Sequence, residues 1–287
     1  MEVLIMKEIY EFRMFADEVA TIFNPEDVDV ISSLVWRLLV EKSDPRFQII
    51  KKSNADYRKK NNNQYNIFAS WGLSRSYSKA EIDSARLFFC KVTKMFEPAG
   101  EECGTHYDEA AACPICGAGA PQVTPLSLRL SSIPKTADIA QTIAGEIVVS
   151  KRLIEIFEHN QITGLSYAPL VNRKGMPASD HWFQLRDGPR RVEISPETVT
   201  GLNPFHLDPE NKYRCPNGDT IGLNLISEVR IAASSWAGTD INFTRQFIGH
   251  RLGLLRPERL LILSPKVRAL VMAHKLKGFQ FEVAYLV

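Results

Sequence analysis

Two short cysteine turns set the tightest limits on how this chain folds. Cys113-Pro114-Ile115-Cys116-Gly117 has the form that wraps two thiolates around one metal ion. Proline fixes the turn, and the glycine accepts the left-handed backbone that points amides at sulfur. About a hundred residues later, Cys215-Pro216-Asn217-Gly218 is half of the same turn. A further cysteine, Cys103, precedes the first turn, and Cys90 stands apart. Five cysteines are an odd count, and in a reducing compartment they read as ligands or core residues before disulfides.

Three thiolates need a fourth ligand for tetrahedral zinc. With Cys103, Cys113 and Cys116 as the first three, the candidates are Cys215, which would tie the segment to a distant region, and His106, at a Cys103-x2-His106 spacing. Iron is an alternative at four thiolates, whereas structural zinc is the usual occupant of such turns. A thiolate-rich site quenches Lewis acidity, so a structural role is expected rather than a catalytic one. Deaminase chemistry pairs Pro-Cys-x-x-Cys with an upstream His-x-Glu. Here the proline lies inside the pair and no His-x-Glu occurs.

Residues 103–119 resemble a rubredoxin-type zinc ribbon, with Cys103-Gly104 and Tyr107-Asp108 like the end of its first turn. Gly100 departs from that pattern, because it stands where the other cysteine of the first turn belongs.

The chain has 287 residues, enough for about two domains. Hydrophobic residues make up 45% and charged residues 24%, which fits a globular core and excludes collagen-like, disordered and coiled-coil classes. Lys and Arg number 35 against 33 Asp and Glu, a formal charge of +2, so bulk charge makes no case for nucleic acid. No apolar run reaches the roughly 18 residues of a membrane span. Residues 1–12 carry Glu2, Lys7, Glu8 and Glu11 and so lack a signal-peptide core, and the expected location is the cytoplasm.

In the N-terminal third, Asn24-Pro25-Glu26 reads as a helix start. Val28, Ile31, Leu34, Val35, Leu38 and Leu39 follow at helical spacing, and Ser43-Asp44-Pro45 reads as the stop. Residues 51–66 read as a basic, solvated loop whose Tyr57 and Tyr65 could stack on nucleic acid. From Cys90 onward, apolar and polar residues alternate as in a strand, with Cys90 on the core side.

Two stretches of the C-terminal half read as a degenerate repeat, with convergence on a common strand–helix–strand unit as the alternative. Asp138-Ile139, Ile147-Val148-Val149-Ser150, Leu153, Ile156, Phe157 and Gly164 make the first copy. Asp240-Ile241, Leu261-Ile262-Leu263-Ser264, Val267, Leu270, Val271 and Gly278 make the second. In each, an apolar strand ends at a serine that can cap the next helix, and a glycine after the helix permits reversal into another strand. Between the copies, Asp187-Gly188-Pro189 signals a turn between two strands. The expectation is an α+β fold with a mixed sheet and amphipathic helices, divided into an N-terminal region 1–98, a zinc-ribbon segment 99–122 and a region 123–287 carrying the repeat.

Catalytic signatures are wanting: no His-Glu-x-x-His, Gly-x-Ser-x-Gly or phosphate-binding loop occurs. Asp180-His181 and His206-Leu207-Asp208 place an acid near a histidine, an arrangement common on ordinary surfaces. The strand, serine, helix, glycine, strand pattern of residues 149–171 and 263–287 is similar to bacterial immunity proteins of polymorphic-toxin systems. That resemblance implies a non-enzymatic binding protein with a structural zinc and a protein partner, a cognate toxin, and it transfers no catalytic residue. The alternatives are a zinc-ribbon protein that grips nucleic acid with residues 51–66 and Arg186, Arg190 and Arg191, or an enzyme whose site carries no familiar motif.

Overall fold

The structure is a computed structural model that describes residues 6–24, 26, 28–172, 176–188, 190–222 and 224–287. It is α+β, and the chain forms two compact units, Met1–Ser84 and Ala85–Val287. No described helix is long and apolar enough to cross a membrane.

The first unit contains β1 (Lys7–Phe15), a short α1 (Ala16–Val19), β2 (Asp29–Val30), β3 (Val35–Glu41), α2 (Pro45–Lys60), β4 (Phe68–Ser76) and α3 (Lys79–Ser84). Its antiparallel sheet has the order β2-β3-β1-β4. The helix expected over residues 28–39 is instead β2, a turn and most of β3. Leu38 and Val40 point inward and Leu39 outward, a period of two. Pairing with β1, Phe12 opposite Leu38, overrides the local 3.6-residue pattern. Pro25 lies outside the described residues.

Ser43-Asp44-Pro45 starts a helix rather than stopping one. The Asp44 carboxylate accepts the Arg46 N–H at 2.8 Å, and Pro45 fills the first turn, where its missing N–H costs nothing. Residues 51–60, expected as loop, are the rest of α2. Phe47, Ile50 and Asn54 form its buried stripe, and the Asn54 side chain accepts the Ile67 N–H at 3.0 Å.

The second unit contains β5 (Leu87–Val92), β6 (Met95–Phe96), β7 (Ser127–Leu128), β8 (Ile139–Thr142), β9 (Ile147–Ser150), α4 (Lys151–His159), β10 (Tyr167–Asn172) and β11 (Met176–Leu185). There follow β12 (Arg191–Val192), β13 (Thr200–Asn203), β14 (His206–Leu207), β15 (Asn224–Leu225), β16 (Arg230–Ile231), β17 (Ile241–Ile248), β18 (Glu258–Leu263), α5 (Pro265–Ala273) and β19 (Phe279–Leu286). Pro189, in the expected turn between β11 and β12, lies outside the described residues.

Two six-stranded sheets, β6-β8-β9-β11-β10-β7 and β12-β17-β18-β5-β19-β16, carry this unit. Read in those orders, both run parallel, antiparallel, antiparallel, antiparallel, parallel. The position that β11 holds in one sheet is held in the other by β5, which comes from before both copies of the sequence pattern. That pairing buries Cys90, which lies opposite Leu261 and Phe281.

The helices α4 and α5 start alike. Ser150 accepts the Leu153 N–H at 3.1 Å, and Ser264 accepts the Val267 N–H at 3.4 Å. Leu153, Ile154 and Phe157 of one helix and Val267 and Val271 of the other enter a single core. Each such side chain contributes about 1.5–3 kcal/mol by leaving water. The loops after the helices cross over: Ile139 donates its N–H to the Lys277 carbonyl at 3.2 Å, and Ile241 to the Thr163 carbonyl at 3.0 Å. The approach requires glycine, since a Cβ on Gly278 would lie 2.1 Å from the Ile139 oxygen, and one on Gly164 2.2 Å from the Ile241 oxygen.

Candidate metal centre

Residues 113–118 form a closed knuckle. Cys113 donates its N–H to the Ala118 carbonyl, and Gly117 donates to the Cys113 carbonyl, each at 2.8 Å. Gly117 has φ +72°, and a Cβ there would strike Arg251, whose N–H donates to the Cys116 carbonyl at 2.8 Å. This fastens the knuckle to the segment after β17. The second turn is closed by a similar pair of bonds but is one residue shorter, with Gly218 donating to the Cys215 carbonyl at 2.9 Å and Cys215 to the Asp219 carbonyl at 3.0 Å. Thr220 then bonds to the Phe247 carbonyl at 2.9 Å, which brings this turn to the same end of β17.

The result is a cluster of Cys113, Cys116 and Cys215 whose sulfurs lie within 4.8 Å of one another. All three are buried, beside Ala118, Ile221 and Phe247. Backbone N–H groups of Cys116 and Ile115 point at the Cys113 sulfur and draw that thiol below its ordinary pKa. Burial pushes the Cys116 thiol up to about 12 and raises that of Cys215. Three such sulfurs in one apolar pocket can hold a metal ion, and a cation replaces the protons that burial otherwise retains.

Cys103 and His106 fall outside this grouping. Gly100 stands where the first turn of a ribbon would have a cysteine, and a Cβ there would be 2.7 Å from both Glu146 Oε1 and Leu126 Cδ1. Residues 101–103 instead form a 3-10 turn, and the Cys103 carbonyl accepts the Ser127 hydroxyl at 2.9 Å. His106 is exposed, with its N–H given to Thr124 Oγ1 at 2.9 Å. Of the four cysteines expected as ligands, the structure brings together three. Beside them it places Asp219, buried, one residue beyond the motif as read from sequence.

A cleft of about 690 Å3 opens beside the knuckle, with Gly117 and Gly119 on one wall. Its polar groups come from segments far apart in the chain, so no local motif marks it. The Tyr107 hydroxyl donates to Glu146 Oε1 at 2.9 Å, and the Arg256 guanidinium lies 3.8 Å over the Tyr107 ring. Burial and Glu146 push the Tyr107 phenol well above its ordinary value. Burial also raises Glu258, against the opposing 2.7 Å hydrogen bond from Gln141. Burial, then Arg191, lowers Arg259 to about 10.

The acid–histidine pairs have ordinary explanations. Asp208 is buried and accepts the Lys212 N–H at 2.9 Å and the Tyr213 N–H at 3.3 Å, while His206 is exposed. His181 gives its N–H to Ser179 Oγ at 3.2 Å. Of the expected basic patch, Arg191 is paired with Asp187.

No protein-family model matches the chain, and no curated protein matches it.

Proposed function

We propose that this is a cytoplasmic, non-enzymatic binding protein whose second unit is held together by structural zinc at Cys113, Cys116 and Cys215. In this reading it is an immunity protein that neutralises a cognate bacterial toxin by covering it. The observation that carries the structural role is the burial of all three thiols, with exposures of 8%, 1% and 4%. A catalytic zinc keeps a position open to substrate, and a site walled by Ala118, Ile221 and Phe247 favours a clamp between two distant turns. The strand–Ser–helix–Gly–strand segments support the immunity assignment. The matching order and sense of the two sheets, with the crossed loops, support origin by duplication and give a rigid scaffold for a partner-binding surface.

The test is a pull-down of the full chain from its native host, with metal analysis of the same sample. The reading expects one zinc per chain and a single stoichiometric protein partner. Recovery without a partner, or with nucleic acid, would count against it.

A second reading, an enzyme, is favoured by one observation: the cleft gathers Glu146, Glu258 and Tyr107, groups whose surroundings shift two of them upward. Turnover of a substrate by the purified chain, lost in Glu258→Gln, would favour it.

A further inference from the structure

The geometry points to Asp219 as the fourth ligand of the metal, completing a site of three thiolates and one carboxylate oxygen. This rests on the reading of Cys113, Cys116 and Cys215 as a metal site. Asp219 Oδ2 lies 3.3 Å from Cys215 Sγ and 3.7 Å from Cys116 Sγ. Zinc–sulfur bonds of about 2.3 Å and zinc–oxygen bonds of about 2.1 Å at a tetrahedral angle put ligand sulfur and oxygen about 3.6 Å apart. The separations from these two sulfurs straddle that value; Asp219 stands outside the group of atoms within 4.8 Å of one another, so metal binding would draw Oδ2 toward Cys113 Sγ.

The other carboxylate oxygen is already committed. Oδ1 accepts the Phe247 N–H at 2.8 Å, which fixes the plane of the group and aims Oδ2 at the sulfurs. Such outer contacts orient the ligands of metal sites. The local chain explains why an acid takes this place. In the first turn the third residue after Cys113 is Cys116. In the second turn that position is Gly218, which has no side chain to offer, and the next residue supplies the oxygen. A carboxylate only 5% exposed, set against the buried Cys116 and Cys215 thiols, is costly unless a cation neutralises the group. A divalent ion does so while replacing the thiol protons.

Cobalt(II) titration of the full chain, followed by absorption, tests the assignment. Wild type is expected to give tetrahedral bands with three-thiolate charge transfer. Asp219→Asn should weaken binding at least about tenfold and leave the charge transfer per bound ion unchanged. Asp219→Cys should raise that charge transfer by about a third, as three thiolates become four, which keeps the test decisive if the asparagine variant folds poorly. Cys103→Ser and His106→Ala should match wild type. An Asp219→Asn protein that binds cobalt as tightly as wild type with the same spectrum would overturn the assignment and leave the thiol site standing. Loss of about a quarter of the charge transfer in Cys103→Ser would also overturn it, since Cys103 would then be a fourth thiolate. A wild type that takes up no cobalt overturns the metal reading as well.

Discussion

Asp138 and Asp240 each fasten the strand–helix–strand segment of the other. Asp138 accepts the Lys277 N–H at 2.9 Å, and Asp240 accepts the Thr163 N–H at 2.9 Å. Within its own segment, each carbonyl receives the N–H of the capping serine at 2.8 Å, Ser150 for Asp138 and Ser264 for Asp240. Two residues 102 positions apart thus do the same work in opposite directions.

This arrangement carries a pH dependence. Burial pushes the Asp240 carboxyl up, but hydrogen bonds from the Ser264 hydroxyl and from the Thr163 N–H and hydroxyl outweigh it and hold the group below the usual carboxylate range. A depressed acid contributes stability in full above its unfolded value, about 3.9, and loses it as pH falls through the folded one. Asp240→Asn should therefore cost about 1–3 kcal/mol at pH 7. In urea melts, the gap from wild type should narrow below about pH 4. A gap of constant size would count against the carboxylate latch.

The crossed loops make a sharper demand on Gly278. At φ +108°, with the Ile139 oxygen 2.1 Å from where a Cβ would stand, Gly278→Ala meets both strain and a backbone clash. Its cost should be at least about 2 kcal/mol. Gly238→Ala is the control, with φ +81° and open space, and should cost about 1 kcal/mol from conformation alone. Equal losses in chemical denaturation would mean that the loop does not press on the Ile139 carbonyl.

Asp44→Ala should remove about 1 kcal/mol by uncapping α2. A variant as stable as wild type in chemical denaturation would mean that the cap is dispensable.

How much was legible from sequence depended on whether a signal was local. Ser150 and Ser264, Gly164 and Gly278, and the apolar faces of α4 and α5 act within a few residues, and their pattern gave the segments directly. Asp44-Pro45 was equally local but has two polarities: the same pair that ends one helix opens the next. Residues 28–39 misled because Val35, Leu38 and Leu39 satisfy a helical spacing until β1 pairs with that segment. The three clustered cysteines were readable, within a set of four that also held Cys103. Asp219 was not, because an aspartate after a Cys-Pro-Asn-Gly turn is an ordinary turn residue until Cys113 and Cys116 are folded against it. Cys103 fit the spacing, but it folds into a 3-10 turn outside the sulfur cluster.

Cys90 offers a reactivity test of the β5 position. Burial pushes its thiol up to about 12, so it stays protonated at pH 8 and presents no nucleophile. Iodoacetamide should leave Cys90 unmodified in the native protein at pH 8 and modify it in urea, as read by peptide mass spectrometry. Rapid native modification would show β5 leaving its place between β18 and β19.

The central claim, that Cys113, Cys116 and Cys215 hold a structural zinc ion, is tested most directly by metal content. The measurement is elemental analysis of the full chain purified without added metal, for wild type, Cys215→Ser and Cys103→Ser. The account predicts one zinc per chain in wild type and Cys103→Ser, and loss of most of it in Cys215→Ser. Undiminished zinc in Cys215→Ser, or none in wild type, would contradict it.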